Sequence, residues 1–239
     1  MPSSFLVFRT PFRPILPFLR VLVLLPWTLS LSFADSIDMV FITSGSVLMG
    51  DDSILDDEKP AHFVSTGEYF IDVYEVHIWH WEKVATWAEA NGYDFSSSSK
   101  LRKDGPWWYQ DRSSLLFPMN MVDWYDAVKW RSARSELEGR IPLYYEDANH
   151  TVGYRSGQID LNSTNVNWSG SGYRLPTEVE WERAARGTAS TSTQGYSWGN
   201  SFLTGALANY SKSGDPFDDA ATPVGYFNGS QKIINQENS

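Results

Sequence analysis

Residues 172–187, Gly-Tyr-Arg-Leu-Pro-Thr-Glu-Val-Glu-Trp-Glu-Arg-Ala-Ala-Arg-Gly, specify one helix together with both of its ends. Pro176 cannot continue an upstream element. Thr177 is an N-cap residue with Glu180 three positions on, the spacing of a capping box. Trp181, Ala184 and Ala185 recur at helical spacing and predict an apolar stripe against the core. Gly187 supplies the residue that takes a left-handed C-terminal turn without a Cβ clash.

The same logic places two more helices. Trp79, Val84, Trp87 and Ala88 predict one over about 77–90, stopped by Asn91-Gly92. Asp123, with Asp126 three residues later, predicts a second that carries Trp124, Ala127, Val128 and Trp130 and runs to Glu138 before Gly139. Residues 38–50 read as a hairpin or strand pair about Ser44-Gly45, and Tyr69–Val76 as a buried strand. Residues 93–118 read as a long loop, 140–171 as two small strands and turns, and 188–239 as largely aperiodic. No internal repeat or long linker divides the chain. The core drawn from this pattern is Met49, Phe70, Ile71, Tyr74, Trp124, Val128, Leu175 and Trp181.

Residues 1–34 stand apart. Arg9, Arg13 and Arg20 precede the apolar run Val21–Ala34, which is short for a membrane span, contains Pro26 and ends Ser32-Phe33-Ala34, a small-residue cleavage pattern. This reads as a secretory signal followed by one domain, 35–239, in a secreted or periplasmic protein without a stable membrane anchor. Removing it lowers Lys+Arg from 19 to 16 against 29 Asp+Glu, a net charge of −13. Such a surface repels phosphate backbones and argues against nucleic-acid binding. The chain has no cysteine. It therefore has no disulfide and no lipobox for a lipoprotein anchor, and stability rests on the core, with its 11 Trp and 12 Tyr, or on a bound metal.

Several motifs together resemble one family. They are Val47-Leu-Met-Gly50, Glu58-Lys-Pro-Ala-His-Phe-Val64, Tyr69-Phe-Ile-Asp-Val-Tyr-Glu-Val76, Met121-Val-Asp-Trp-Tyr-Asp-Ala-Val-Lys-Trp130, the 172–187 segment, Tyr196-Ser-Trp-Gly199, Ala208-Asn-Tyr210 and Thr222-Pro-Val-Gly225. In this order, over roughly residues 38–227, they resemble the formylglycine-generating enzyme or sulfatase-modifying factor family. His77 stands where Thr is usual. The resemblance implies an α+β, C-type-lectin-like formylglycine-generating-enzyme fold with little regular secondary structure. It also implies a parent activity of oxidase type on a sulfur-containing protein or peptide substrate.

The resemblance further implies a structural calcium held by the Asn209 side chain, the Tyr210 carbonyl, Asp215 and the Phe217 carbonyl. Hard cations of this kind take oxygen ligands and tolerate irregular geometry. The local alternative for the same residues is an ordinary Asx-turn. His77 and His80 are a structural pair or a two-ligand metal face without an evident third ligand. His62 reads as structural and His150 as a loop residue. The acidic run Asp51–Glu58 reads as a solvated face or a cation patch. Trp107-Trp108-Tyr109 reads as a sugar-stacking platform or as packing on its own domain. Sequons at Asn149, Asn162, Asn167, Asn209 and Asn228 matter if a eukaryote secretes the chain.

The catalytic half of the resemblance fails. The family's enzymes hold copper with two cysteines, soft ligands suited to cuprous ion, or in other members use iron. This chain has none of those cysteines, and Arg131 follows Trp130 where many relatives carry one. The family's "G-N-V-W-E-W" segment is also missing, so the chain reads as a C-terminally incomplete member. No catalytic residue is assigned. Two readings remain: a scaffold descended from an oxidase without its active site, or an inert lectin-like module that binds carbohydrate or protein. Family membership implies fold more firmly than reaction.

Overall fold

The computed structural model describes residues 39–52, 56–96, 116–187, 196–197, 203–215, 217 and 220–228. Its first feature is one long hairpin in two paired sections. Strand β1 (Met39–Ile42) pairs antiparallel with β4 (Tyr69–Asp72), and β2 (Gly45–Met49) with β3 (His62–Thr66). A single register runs through both sections: Met39 faces Asp72, Ile42 faces Tyr69, Gly45 faces Thr66 and Met49 faces His62. The expected turn at Ser44-Gly45 is therefore corrected. Those residues lie in the middle of an arm, and the hairpin closes farther on, where Asp51 N donates to the Glu58 carbonyl at 3.2 Å.

Helix α1 (Ile78–Ala90) follows, then α2 (Trp124–Leu137) and α3 (Glu178–Arg186). Asp123 caps α2 by accepting from Asp126 N at 2.8 Å. At α3 both arms of the Thr177–Glu180 capping box are formed, and Gly187 ends the helix at φ 76°, a conformation that excludes a side chain without strain. Residues 140–171 hold isolated bridges, Tyr144 with Val166 and Tyr145 with Gly153, and one 3-10 turn at Ser163–Asn165, rather than two strands. Polar side chains there compete for the backbone; Asn162, for example, accepts from Thr164 N at 2.9 Å.

Two apolar clusters share α2. One joins Trp81, Val84 and Ala88 of α1 to Tyr93, Phe95, Trp130 and Ala133, with Trp81 and Trp130 stacked at 5.4 Å. The other joins Val128 to Leu143, Tyr144, Tyr154 and Val166, with Leu175 partly buried against it. With clusters on two sides, α2 also buries Asp126, Lys129, Ser132, Arg134 and Ser135.

Four predicted core residues are at the surface. Trp181 is 60% exposed, while Arg183 is buried. Two helical residues turn roughly 200°, so a helix that presses Arg183 onto the hairpin turns Trp181 outward. Arg183 abuts Gly45, where an added Cβ would lie 2.8 Å from Nη2. Trp124 is exposed because it sits in the first turn of α2, edge-on to Tyr125 at 5.5 Å. Phe70 is exposed beside its cross-strand partner Phe41, ring centroids 5.0 Å apart. Tyr69, the neighbour on the opposite face, sends its hydroxyl to the Glu180 carbonyl of α3. Tyr74 lies past the end of β4, also exposed, with Gly225 against its ring. Of the rest, Val128 is buried and Met49, Ile71 and Leu175 are half-buried.

Trp130→Ala is expected to lower stability by about 3–5 kcal/mol, as for other large aromatic truncations in cores. Trp181→Ala should change it by no more than about 0.5 kcal/mol. Chemical denaturation of both variants checks this, and the reverse order would contradict the packing.

Candidate functional site

The predicted oxygen ligands all lie between residues 203 and 228, in two separate turns. The first is clipped by Asn209, whose Nδ2 donates to the Ala220 carbonyl at 2.6 Å. Asn209 and Tyr210 line an open depression of about 380 Å³ together with Ser211, Ala220 and Ala221. Ser213 N donates to the Tyr210 carbonyl at 2.9 Å, and Lys212 and Gly214 bracket this turn with φ of 64° and 76°.

Asp215 and Phe217 lie outside that lining. The Asp215 carboxylate accepts from Phe217 N at 2.7 Å and makes a short hydrogen bond with the Ser213 hydroxyl, which is the Asx-turn alternative. The Phe217 ring is anchored edge-on to Tyr226 at 5.0 Å and to Phe117 at 6.2 Å. Ala220 N donates to the Phe217 carbonyl at 2.9 Å, and Val224 N to the Leu116 carbonyl at 2.9 Å. A strip of chain is thereby held against residues 116–117.

The donor chemistry of the set suits a hard cation. With its nitrogen committed to Ala220, Asn209 keeps its amide oxygen for other partners, and the Tyr210 and Phe217 carbonyls each retain a second lone pair. The set has one carboxylate. Accordingly, no group of three or more His, Cys, Asp or Glu able to hold a metal occurs among the described residues.

The histidines have structural partners. His77 is the N-cap of α1, its Nδ1 accepting from His80 N at 3.1 Å, so it does the job a threonine would do. His80 is buried with Nδ1 unpaired, and its ring meets Trp130 edge-on at 5.3 Å. Burial, with the Arg134 cation nearby, lowers its pKa to about 3. His62 Nδ1 bonds the Pro60 carbonyl at 2.8 Å, and His150 Nε2 the Thr164 carbonyl at 3.1 Å. In the acidic run, Asp52 accepts from Ala61 N at 2.8 Å and Asp56 pairs with Lys59 at 2.9 Å. Trp107-Trp108-Tyr109 lies outside the described residues.

The largest polar construction was not legible as a site. Asp72 of β4 receives Arg131 Nη1 at 2.8 Å and Arg134 Nη1 at 3.0 Å, and Arg134 Nε reaches Glu138 at 3.1 Å. The Arg134 guanidinium also lies 3.8 Å above the Tyr173 ring, whose hydroxyl donates to Glu138. A few residues away on α2, Lys129 pairs with Asp94 at 2.6 Å and Asp126 at 3.1 Å. Burial alone would lower the Lys129 pKa, but the two carboxylates outweigh it and hold the ammonium above the ordinary lysine range. The i, i+3 spacing of Asp126 and Lys129 was visible beforehand; their burial was not. Arg131 is thus bound to Asp72.

Residues 32–232 match the sulfatase-modifying factor enzyme 1-like domain. The chain is 32% identical over 207 residues to the inactive C-alpha-formylglycine-generating enzyme 2 of Mus musculus, covering 75% of this chain and 58% of that protein. It is 29% identical over 171 residues to the formylglycine-generating enzyme of Mus musculus, covering 68% and 42%. It therefore spans about half the length of these two curated relatives. Among solved structures it shares a fold with CarF, at a TM-score of 0.56 and 24% identity over 76% of this chain and 69% of that one.

Proposed function

The chain belongs to the sulfatase-modifying factor enzyme 1-like family, and we propose that it is an exported member that keeps the scaffold without formylglycine-generating chemistry and acts by binding a polypeptide. The observation that carries this is the complete lack of cysteine in 239 residues. The family's enzymes that the sequence resembles hold cuprous copper with a pair of soft thiolates, and no residue of these 239 supplies a thiolate. The family's oxidase-type activity on sulfur groups is then not expected of residues 1–239 by themselves. That one mammalian relative is named inactive is consistent with this reading.

Support for binding comes from the hairpin. Val40, Phe41, Phe63 and Phe70 are exposed large apolar side chains on it, and Phe41 and Phe70 are in contact. An exposed pair of contacting rings such as Phe41 and Phe70 suits a protein partner better than a sugar, which needs polar groups arranged about an aromatic face. Export rests on the basic and apolar residues 1–34. No helix among the described residues is long and apolar enough to cross a membrane.

Incubating the purified chain with copper and a cysteine-containing sulfatase-type peptide should give no formylglycine above background by aldehyde labelling and mass spectrometry. Copper-dependent product would overturn the reading.

Calcium is proposed as a structural ligand of the 209–217 loop, through Asn209, the Tyr210 carbonyl, Asp215 and the Phe217 carbonyl. Bound there, it would neutralise local negative charge and restrain an irregular segment. At a hundredfold excess over Kd, a ligand of the folded state adds about 2.7 kcal/mol. The melting temperature should rise in calcium relative to chelator. Asp215→Asn, which preserves the acceptor for Phe217 N but drops the charge, should shrink the rise, and Asp215→Ala should remove it. A folded wild-type protein whose melt ignores calcium would refute the site.

A further inference from the structure

Helix α3 has one buried residue, Arg183, and it is a cation. Its guanidinium lies across a registered pair of the hairpin. Nη1 donates to the Thr66 hydroxyl at 2.7 Å, and Gly45, the cross-strand partner of Thr66, is in contact with the group. The other two nitrogens, Nε and Nη2, are buried and have no hydrogen-bond partner among the described residues. They are neighbours on one edge of the guanidinium, the edge that takes both oxygens of a carboxylate in parallel.

The carboxylates close by on the same helix are committed elsewhere. Glu180, one turn earlier, accepts from Nη1 and Nη2 of Arg174 at 2.6 Å each and from Thr177 N at 2.8 Å. Glu182 holds Arg186 at 2.6 Å. Thr66 offers a dipole rather than a charge. A cation withdrawn from water without a counter-charge is among the most expensive arrangements a fold can contain.

The strand is fitted to this group. A Cβ at Gly45 would lie 2.8 Å from Nη2 and 3.0 Å from both Cζ and Nη1. An atom approaching in the guanidinium plane would meet the nitrogens well before the carbon, so these near-equal distances put the Cβ over the face. Gly45 therefore lets β2 cover the face, and it does not occupy the in-plane Nε–Nη2 edge. Glycine inside a strand gives up packing and chain entropy, and it marks places where a ligand or another group comes close.

We propose that the Nε–Nη2 edge of Arg183 is a binding site for one carboxylate, which enters between α3 and the β2–β3 arm and supplies the missing counter-charge.

Charge, shape and size select that ligand. A buried cation without a partner calls for an anion, and two parallel donors match a planar group with two oxygens. The side chain is 1% exposed, so the site admits formate, acetate or the end of an Asp or Glu side chain, and it is too enclosed for a nucleotide. Entry needs only a nine-residue helix with no second buried residue to lift from the hairpin, a local opening that leaves the α1–α2 core in place. A free carboxylate and one carried by a polypeptide present the same chemistry to Arg183.

Urea denaturation of the full chain at neutral pH tests the site, with ionic strength held constant by a bulky sulfonate salt so that screening does not change. One arm titrates formate, the other the blocked amino acid N-acetylaspartate N-methylamide. Above its Kd, a ligand bound once to the folded state raises the folded-to-unfolded ratio about tenfold for each tenfold in concentration. The wild type should show that slope. Response to formate alone assigns the site to a free small anion, and response to the blocked aspartate assigns it to a polypeptide side chain. Arg183→Met should remove the response, and Arg183→Lys, which keeps the charge without the paired donors, should lose most of it. If the methionine variant does not fold, the lysine variant carries the comparison. A folded wild type indifferent to both probes, or a slope unchanged in the variants, would overturn the proposal.

Discussion

The ion pair between Asp72 and Arg134 is the constraint on which the remaining architecture depends. Helix α2 is enclosed on two sides by apolar clusters, yet it carries charges that must be satisfied inside the protein. Asp72, near the end of β4, is 8% exposed at its side chain and Arg134 1%. Their contact ties the hairpin to the central helix, and Glu138 and Tyr173 complete the arginine's surroundings. A buried pair adds little net stability relative to apolar residues of the same shape, but loss of one partner strands a charge, at about 3–5 kcal/mol. Its effect is therefore on geometry: Asp72 sits at one place in the hairpin register, so the hairpin can meet α2 in one way. In a chain without disulfides, that restriction has no covalent substitute.

This organisation separates the family scaffold from the loop proposed to bind a cation. The capped helices, the hairpin and the α2 charge network use residues 39–187, whereas the proposed cation loop lies after α3. Within the scaffold, Arg131 adds a second guanidinium to Asp72 beside that of Arg134. The chain spans about half the length of the two mammalian relatives.

Much of the fold could be read from local signals, because capping is local. The Thr177–Glu180 box, the Asp123 cap and the Asn91-Gly92 stop are each decided within about one helical turn, and all three are present. Long-range pairing was less legible. Residues 38–50 contain two strand patterns, and nothing local shows that each pairs with residues 62–72 rather than with the other. Burial was the least legible. Aromatic size drew Phe70, Tyr74, Trp124 and Trp181 into the core, whereas the enclosed side chains include Arg134, Arg183 and Lys129. Polar residues in a helix read as a wet face unless their partners, here Asp72, Asp94 and Asp126, are known. At the candidate site the residue types were legible, but the sequence did not show that Asn209 clips Ala220 or that Asp215 engages its own turn.

A double-mutant cycle on Asp72 and Arg134 measures the central constraint directly. Asp72→Asn, Arg134→Met and the double variant would be compared with the wild type by chemical denaturation at neutral pH. Each single variant should be strongly destabilised and the double variant less than their sum, with a coupling energy of about 2–3 kcal/mol, the upper part of the range for residues in contact. Additive losses, with coupling below about 0.5 kcal/mol, would show that hairpin and helix are held together by something other than this pair.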